Sequence, residues 1–184
     1  MAKLILGLVG EMSCGKGTVA EHMKGKYHAS AHRFSTILRD VLDRLYLEQS
    51  RGNIQILSEI LRKNYGEDIF AKSMLHDIEH DGNDIVVVDG VRRIEDIGYL
   101  RELAHFKLIF IEADMQIRYD RLTSRRENSD DQVKTFEEFS HEHGADSELQ
   151  IRELKNYADY VVDNNGSYMD LYHAIDTIVN ESMA

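Results

Sequence analysis

Short, uninterrupted apolar segments recur along the chain and predict buried strands. Four of them are rich in Val, Ile or Leu and occupy residues 4–9, 85–88, 108–111 and 160–162. A weaker candidate at 28–34 supplies a fifth strand. Runs without alternating polar positions are typical of parallel strands that are covered on both faces. The pattern therefore predicts a five-stranded parallel sheet.

Between these segments, apolar residues recur at the three- and four-residue spacing of amphipathic helices. Such stripes cover residues 37–45, 54–61 and 168–179. Ser167 and Asp170 match the start of a capping box in front of the last stripe. Strands that alternate with helices predict an α/β fold with helices on both faces of the sheet.

Two longer stretches interrupt the alternation. Residues 36–80 are almost entirely helical in pattern, which is more than one crossover between parallel strands requires. Residues 125–147 are polar and charged, and predict either a mobile lid over a site or a solvated surface loop. No linker or repeat divides the chain, so its 184 residues predict a single domain, 1–184, with both stretches as excursions from it.

Charge and cysteine content restrict the classes of partner. There are 22 basic and 33 acidic residues, a net charge of −11, whereas nucleic acids and anionic membranes require a basic face. The N-terminal apolar run is too short to span a membrane. The single cysteine, Cys14, excludes an internal disulfide and fits a reducing compartment. We therefore expect a cytoplasmic monomer or homodimer that acts on a small molecule.

The segment after the first predicted strand carries the strongest chemical signal. Residues 10–18 are Gly-Glu-Met-Ser-Cys-Gly-Lys-Gly-Thr, and a helix-compatible segment covers 18–24. A strand, a glycine-rich turn and a helix form the context of a phosphate-binding loop (P-loop), which binds anions through backbone amides. The lysine supplies positive charge to the β- and γ-phosphates of a triphosphate. The candidate nucleotide-binding residues of this loop are Gly10, Ser13, Cys14, Gly15, Lys16, Gly17 and Thr18.

The loop departs from the strict motif directly after Lys16. Gly17 occupies the position of the hydroxyl that normally binds Mg²⁺, and a hydroxyl follows only at Thr18. Asp89 closes the apolar run 85–88, where a carboxylate can orient Mg²⁺-bound water. We therefore expect ATP and Mg²⁺ as ligands, with Thr18 and Asp89 as candidate metal residues. Direct coordination by Thr18 stays open.

Beyond the loop, the chain resembles the adenylate-kinase-like nucleoside monophosphate kinases and their relatives, the dephospho-CoA kinases. The Gly-Lys-Gly-Thr form of the loop is typical of adenylate kinases. Segments 34–39, 89–93 and 120–126 are similar to three further family motifs, in the same order. The tail 158–167 is more similar to dephospho-CoA kinases and small archaeal relatives. The resemblance implies a P-loop fold of three α/β/α layers.

The resemblance also implies roles on the ATP side. Arg121 would cover the adenine, and Arg125 would grip the phosphates. The turn that contains Asn165 and Gly166 would pack near the adenine. The predicted catalytic set is Lys16, Asp89, Arg121 and Arg125.

An acceptor phosphate calls for guanidinium groups, which bind it in a two-pronged geometry. Arg39 lies at the start of the helical excursion, and Arg92 and Arg93 follow a strand end, where parallel sheets bind ligands. Arg152, beyond the predicted lid, is a further candidate. The choice between Arg92 and Arg93 stays open.

These residues predict an ATP-dependent phosphotransferase that acts on a nucleoside or deoxynucleoside monophosphate. One alternative is transfer to a ribose 3′-hydroxyl, as in dephospho-CoA kinase, with Asp89 as general base. Another is a non-catalytic ATP-binding regulator, since the family's AMP-recognising Gln has no evident counterpart and Ile97 stands there.

Overall fold

A computed structural model describes residues 2–124, 134–143 and 146–184, apart from the side chains of Arg51, Glu142, His143 and 146–148. Its five strands form one parallel sheet in the order β2-β3-β1-β4-β5. They are β1 (Leu4–Val9), β2 (Ser30–Arg33), β3 (Ile85–Asp89), β4 (Phe106–Glu112) and β5 (Tyr160–Asp163). The predicted sheet is therefore confirmed. The weakest strand differs at its end, because Phe34 begins a helix.

Helices cover both faces of this sheet. They are α1 (Lys16–Tyr27), α2 (Phe34–Arg44), α3 (Arg51–Tyr65), α4 (Ile69–Glu79), α5 (Ile94–Gly98), α6 (Met115–Ser124), α7 (Phe136–His143), α8 (Asp146–Glu153) and α9 (Tyr168–Met183). Short 3-10 turns occupy Leu100–Glu102 and Leu154–Tyr157. The expected capping box of Ser167 and Asp170 begins α9. The predicted α/β class, with helices on both faces, is confirmed.

Alternate residues of β1 feed two separate apolar cores, as a strand buried on both faces requires. Leu6 and Leu8 pack in the core under α1 and α9. Ile5 and Val9 pack in the core under α2 and α4. The central strand is thereby held from both sides, and it holds the loop that follows it.

The carboxyl edge of the sheet gathers three chain segments. Leu8 of β1 pairs in register with Asp89 of β3, and Asp89 in turn pairs with Arg33 of β2. On its other side β1 pairs with β4. Ligands of open parallel sheets bind at this edge, next to adjacent strands whose outgoing connections run in opposite directions. Here the connection from β1 runs to β2, and the connection from β3 runs the other way, to β4.

The first predicted excursion forms α2, α3 and α4, so its helical content is confirmed. Within the second, α7 packs against α6, with the buried ring of Phe139 5.8 Å from the ring of Tyr119. Residues 125–133 and 144–145 lie outside the described chain, so the lid at 125–147 stays a prediction. No helix in the described ranges is long and apolar enough to cross a membrane.

Candidate nucleotide-binding site

Two glycines of the phosphate loop occupy backbone conformations that side chains disfavour. Gly10 has φ 151° and Gly15 has φ 115°. A Cβ on Gly10 would lie 2.2 Å from the carbonyl oxygen of Ile111, and one on Gly15 would lie 2.3 Å from Nδ2 of Asn164. Both positions therefore require glycine, for conformation and for space. Gly17 differs, because a Cβ there would meet no atom within 4 Å.

Lys16 begins α1 and folds back over the loop. Its Nζ donates to the carbonyl oxygens of Gly10 at 2.5 Å and Glu11 at 2.9 Å. It also lies 3.6 Å from Sγ of Cys14, which is fully buried. The ammonium group is thus held inside the loop, where a polyphosphate would meet it.

Asn164 ties the loop to the far side of the sheet. Its buried side-chain Nδ2 donates to the carbonyl of Cys14 at 2.8 Å. Its backbone N–H donates to Glu112 at 2.8 Å, and its carbonyl accepts from Nη2 of Arg121 at 2.8 Å. One residue therefore connects the loop, β4 and α6.

Sequence reasoning missed Asn164 and named its neighbours. Asn165 is exposed, and its Oδ1 accepts from the backbone N–H of Asp114 at 2.7 Å. Gly166 is close to the helix cap, with Oδ2 of Asp170 2.9 Å from the position of a Cβ. Both residues shape the turn that presents Asn164. The available signal was the first of two consecutive asparagines, directly after an apolar strand.

Two arginines neutralise a carboxylate within the loop. Arg118, 3% exposed in its side chain, pairs with Glu11 at 3.3 Å and donates to Ala113 at 3.0 Å. Arg152 pairs with the same Glu11 at 3.5 Å. The structure therefore brings Arg152, a predicted acceptor ligand, to the phosphate loop.

Asp89 stands at the end of β3 and is buried. Its Oδ2 lies 2.9 Å from both Nε and Nη2 of Arg33, a residue that sequence reasoning did not single out. Its Oδ1 is buried and has no hydrogen-bond partner within the described chain. Oγ of Ser13 and Nη1 of Arg121 are likewise buried without a described partner.

These three atoms are an acceptor, a hydroxyl and a cationic donor. Buried polar groups are normally satisfied, and unsatisfied ones point to an ion or ligand. The set fits a triphosphate that is accompanied by hydrated Mg²⁺, which keeps most of its waters. Thr18 lies in the first turn of α1. No cluster of three or more His, Cys, Asp or Glu side chains suited to a metal occurs among the residues described.

The candidate acceptor arginines differ in how they are engaged. Arg39 donates to Gln49 at 3.3 Å, and Arg93 pairs with Glu67 at 3.0 Å. The exposed guanidinium of Arg92 makes no hydrogen bond or ion pair with a described residue. Arg92 is therefore the more available of the adjacent pair. The last predicted site residue, Arg125, lies outside the described part of the chain.

A buried carboxylate fixes the backbone of this adjacent pair. Oδ2 of Asp96 accepts from the backbone N–H groups of Arg92 at 3.0 Å and Arg93 at 3.1 Å. Oδ1 of Asp96 lies 3.2 Å from Nη2 of Arg62 on α3. The arginine segment is therefore anchored to the helical excursion.

Comparison with known proteins places the chain in a family. The profile of a family described as AAA domain matches residues 9–139, which begin at the end of β1 and include the phosphate loop. The chain belongs to this AAA domain family. A UPF0200 protein of Methanocaldococcus jannaschii is 27% identical over 180 residues, 97% of this chain and 90% of the relative.

A second relative is longer than this AAA domain protein. The UPF0200/UPF0201 protein of Archaeoglobus fulgidus is 27% identical over 179 residues, which are 95% of this chain and 54% of the relative. The chain therefore spans about half of the length of that relative.

Solved structures confirm the fold class. TT1252 from Thermus thermophilus superimposes with a TM-score of 0.61 at 16% identity, covering 98% of each chain. Shikimate kinase from Bacteroides thetaiotaomicron gives 0.58 at 14% identity, covering 96% of this chain and 98% of the kinase. Shikimate kinase from Aquifex aeolicus gives 0.56 at 16% identity, covering 96% of both. The AAA domain of this chain thus shares the α/β fold of these three structures.

Proposed function

We propose that this protein is an ATP-dependent phosphotransferase that moves the γ-phosphate of ATP to a nucleoside or deoxynucleoside monophosphate. The phosphate loop carries the proposal. Lys16 is held inside a loop in which Gly10 and Gly15 have no room for a side chain, at the carboxyl edge of a parallel sheet. Phosphoryl transfer requires positioning and positive charge, and this arrangement supplies both.

On the donor side, the side chains have complementary tasks. Lys16 supplies charge to the β- and γ-phosphates, and Nη1 of Arg121 is a buried donor with no described partner. Asp89, at the end of β3, and Thr18, in the first turn of α1, would hold the waters of Mg²⁺. The metal supplies charge neutralisation when it is bound. Excluding bulk water at this edge favours transfer over hydrolysis.

On the acceptor side, the resemblance to monophosphate kinases agrees with the weak engagement of Arg92 and Arg39 by other side chains. Arg92 is exposed and uncommitted to any described side chain, and Arg39 makes only a 3.3 Å contact to an amide. A guanidinium binds two oxygens of a phosphate at once, which holds the acceptor in line. A monophosphate is therefore the acceptor class that we favour.

Transfer to a hydroxyl is the second candidate, and Asp89 favours it. A buried carboxylate with one oxygen unpaired among the described residues is suited to accept a proton from an attacking hydroxyl. The tail resembles dephospho-CoA kinases, and two structural neighbours are named for shikimate. Dephospho-CoA and shikimate therefore belong in the test as hydroxyl acceptors.

The test is an acceptor panel with γ-labelled ATP. It contains ribo- and deoxyribonucleoside monophosphates, dephospho-CoA and shikimate, and it compares wild type with Lys16→Ala. Lys24→Ala is the matched control, since Lys24 is on the same helix and pairs with Glu21 on the surface. We expect wild type and the control to transfer at ~1–100 s⁻¹ to one acceptor class, and Lys16→Ala to be at least ~100-fold slower.

Each outcome of the panel decides something. Transfer to a monophosphate supports the first candidate, and transfer only to dephospho-CoA or shikimate supports the second. The absence of any Lys16-dependent transfer contradicts both. Calorimetric binding of ATP without transfer would then identify the protein as an ATP-binding regulator.

A further inference from the structure

Arg33 is the last residue of β2 and lies in register with Asp89, the last residue of β3. Asp89 is also in register with Leu8 of β1, just before the phosphate loop begins at Gly10. Parallel strands end at a common edge, so this pair stands beside the loop. The Asp89 side chain is 9% exposed, whereas the Arg33 side chain is 47% exposed.

The hydrogen bonds of this pair are asymmetric. Nε and Nη2 of Arg33 both lie 2.9 Å from Oδ2 of Asp89. Rotation of the carboxylate would break both charge-assisted bonds, so the double donation fixes its orientation. Oδ1 is buried and has no hydrogen-bond partner among the residues that the structure describes.

We propose that Arg33 is a positioning residue: it hydrogen-bonds Oδ2 of Asp89 and thereby orients Oδ1 toward the water shell of Mg²⁺ bound with ATP. This inference rests on the proposed function. It assigns a task to an arginine that contacts neither nucleotide nor acceptor and acts through the carboxylate. An error of about 1 Å in a positioned group lowers turnover by up to ~100-fold, so fixing Oδ1 matters for rate.

A rival task for Arg33 is direct contact with a substrate phosphate. The two tasks differ in what survives when Asp89 is changed. A positioning residue loses its effect in an Asp89→Asn background, because the group it orients is gone. A direct phosphate ligand keeps its effect there and raises the KM of the substrate that it binds.

The experiment is a double-mutant cycle on the full chain, with Arg33→Lys, Asp89→Asn and the two substitutions combined. Arg33→Lys keeps the charge and removes the double donation. Arg44→Lys is the matched control, since Arg44 is an exposed residue at the end of the helix that Arg33 caps. Melting temperature verifies that each variant folds, and Arg33→Gln replaces Arg33→Lys if the lysine variant does not.

We expect Arg33→Lys to lower kcat about tenfold and to raise the Mg²⁺ concentration for half-maximal rate several-fold. The KM of the acceptor should stay within about twofold. In the Asp89→Asn background, Arg33→Lys should change kcat by less than about twofold. An unchanged kcat for Arg33→Lys and Arg33→Gln, or effects that multiply in the double variant, overturns the proposal.

A second arm measures binding without turnover. Mg²⁺ is titrated by calorimetry into each protein in the presence of a non-hydrolysable ATP analogue. Weaker Mg²⁺ binding by Arg33→Lys than by Arg44→Lys supports the proposal, and equal binding overturns it. If wild type binds Mg²⁺ with the analogue but transfers to no acceptor, the proposed function fails. The comparison of Mg²⁺ binding between Arg33→Lys and Arg44→Lys then tests the role of Arg33 by itself. If wild type shows no Mg²⁺-dependent binding, both fail.

Discussion

The phosphate loop and the helical excursion α2–α4 are held in place in different ways. Polar contacts across large sequence separations surround the loop: Asn164 bonds Cys14 from 150 residues away, and Arg118 bonds Met12 from 106 residues away. The arginine contacts of the excursion are nearer in sequence, with Arg39 and Gln49 only 10 residues apart. The excursion and its turns also expose large apolar side chains, namely Leu45, Tyr46, Leu47, Ile56, Ile60 and Tyr65.

Under the proposed function, this difference separates a preformed ATP site at the loop from an adaptable acceptor site at the excursion. A loop whose carbonyls already have partners needs little reorganisation when a triphosphate binds. A segment with exposed apolar surface and exposed polar contacts has lower local stability and moves more readily. Under the proposed function, we therefore expect acceptor choice to reside in the excursion and in the segment of Arg92.

The largest expected effect is the loss of stability caused by Gly15→Ala in the phosphate loop. The substitution places a Cβ 2.3 Å from the Asn164 amide at φ 115°, so we expect a loss of more than about 3 kcal/mol of unfolding free energy. Gly17→Ala is the matched control, since open space surrounds it in the first turn of α1. It should stay within about 1 kcal/mol of wild type. Equal losses in urea denaturation would contradict a preformed loop.

Asn164→Ala tests the long-range link itself. It removes the 2.8 Å bond to Cys14 and leaves that carbonyl without its partner, which should cost up to about 3 kcal/mol. Asn165→Ala removes only contacts of an exposed turn residue and should cost less than about 1 kcal/mol. Urea denaturation of both variants gives the comparison. A larger loss for Asn165→Ala would show that the turn, and not the link, secures the loop.

The pH dependence of stability tests the polar contacts between α1 and α9. Asp176 lies 2.8 Å from Nε2 of His22 and accepts from Lys26 at 2.7 Å and Tyr27 at 2.8 Å. Burial opposes ionisation, but the hydrogen bonds outweigh it and lower the pKa of Asp176 to about 2. Because the folded pKa lies below the unfolded one, the ionised carboxylate stabilises the fold above about pH 4, and this contribution is lost as the pH falls toward 2.

The expected contribution is about 2 kcal/mol. Urea denaturation of wild type and Asp176→Asn from about pH 6 to pH 2.5 measures it. The difference in unfolding free energy between the two proteins should be largest near pH 6 and shrink below about pH 4. A difference that is constant over this range would contradict the assignment.

The smallest expected effect concerns the acceptor half. Arg92→Ala should raise the KM of the acceptor about tenfold without changing the melting temperature, because its guanidinium has no described partner to lose. Arg93→Ala removes a surface pair with Glu67, worth about 0–1 kcal/mol, and should leave the KM within about twofold. The reverse order of the two KM values would assign the acceptor contact to Arg93.

Apolar patterning predicted the strands well because strands buried on both faces have an unbroken apolar sequence. The run at 4–9 coincides with β1, and the run at 85–88 with all but the last residue of β3. The edge strand β2 alternates between half-buried and exposed positions, so its limits were less distinct. Helix α1 begins at Lys16, before the predicted helical segment at Thr18, because the loop leads directly into it.

Side-chain partners were predicted less well. Arg33 and Asp89 are 56 residues apart and meet only because β2 pairs with β3. Nothing in the local spacing of Arg92 and Arg93 distinguishes them. Glu67, in the turn between α3 and α4, pairs with Arg93. Arg152 was assigned to the acceptor from its arginine chemistry, and tertiary packing places it at Glu11.

The amino-acid sequence by itself determined the layered α/β architecture and the position of the phosphate loop. Both depend on local properties, namely the periodicity of burial and the conformational freedom of glycine. Only the tertiary structure decided that Asn164 secures the loop, that Arg33 engages Asp89 and that Arg92 is left available. Those outcomes depend on strand order and on helix packing, which bring together residues that no local pattern relates.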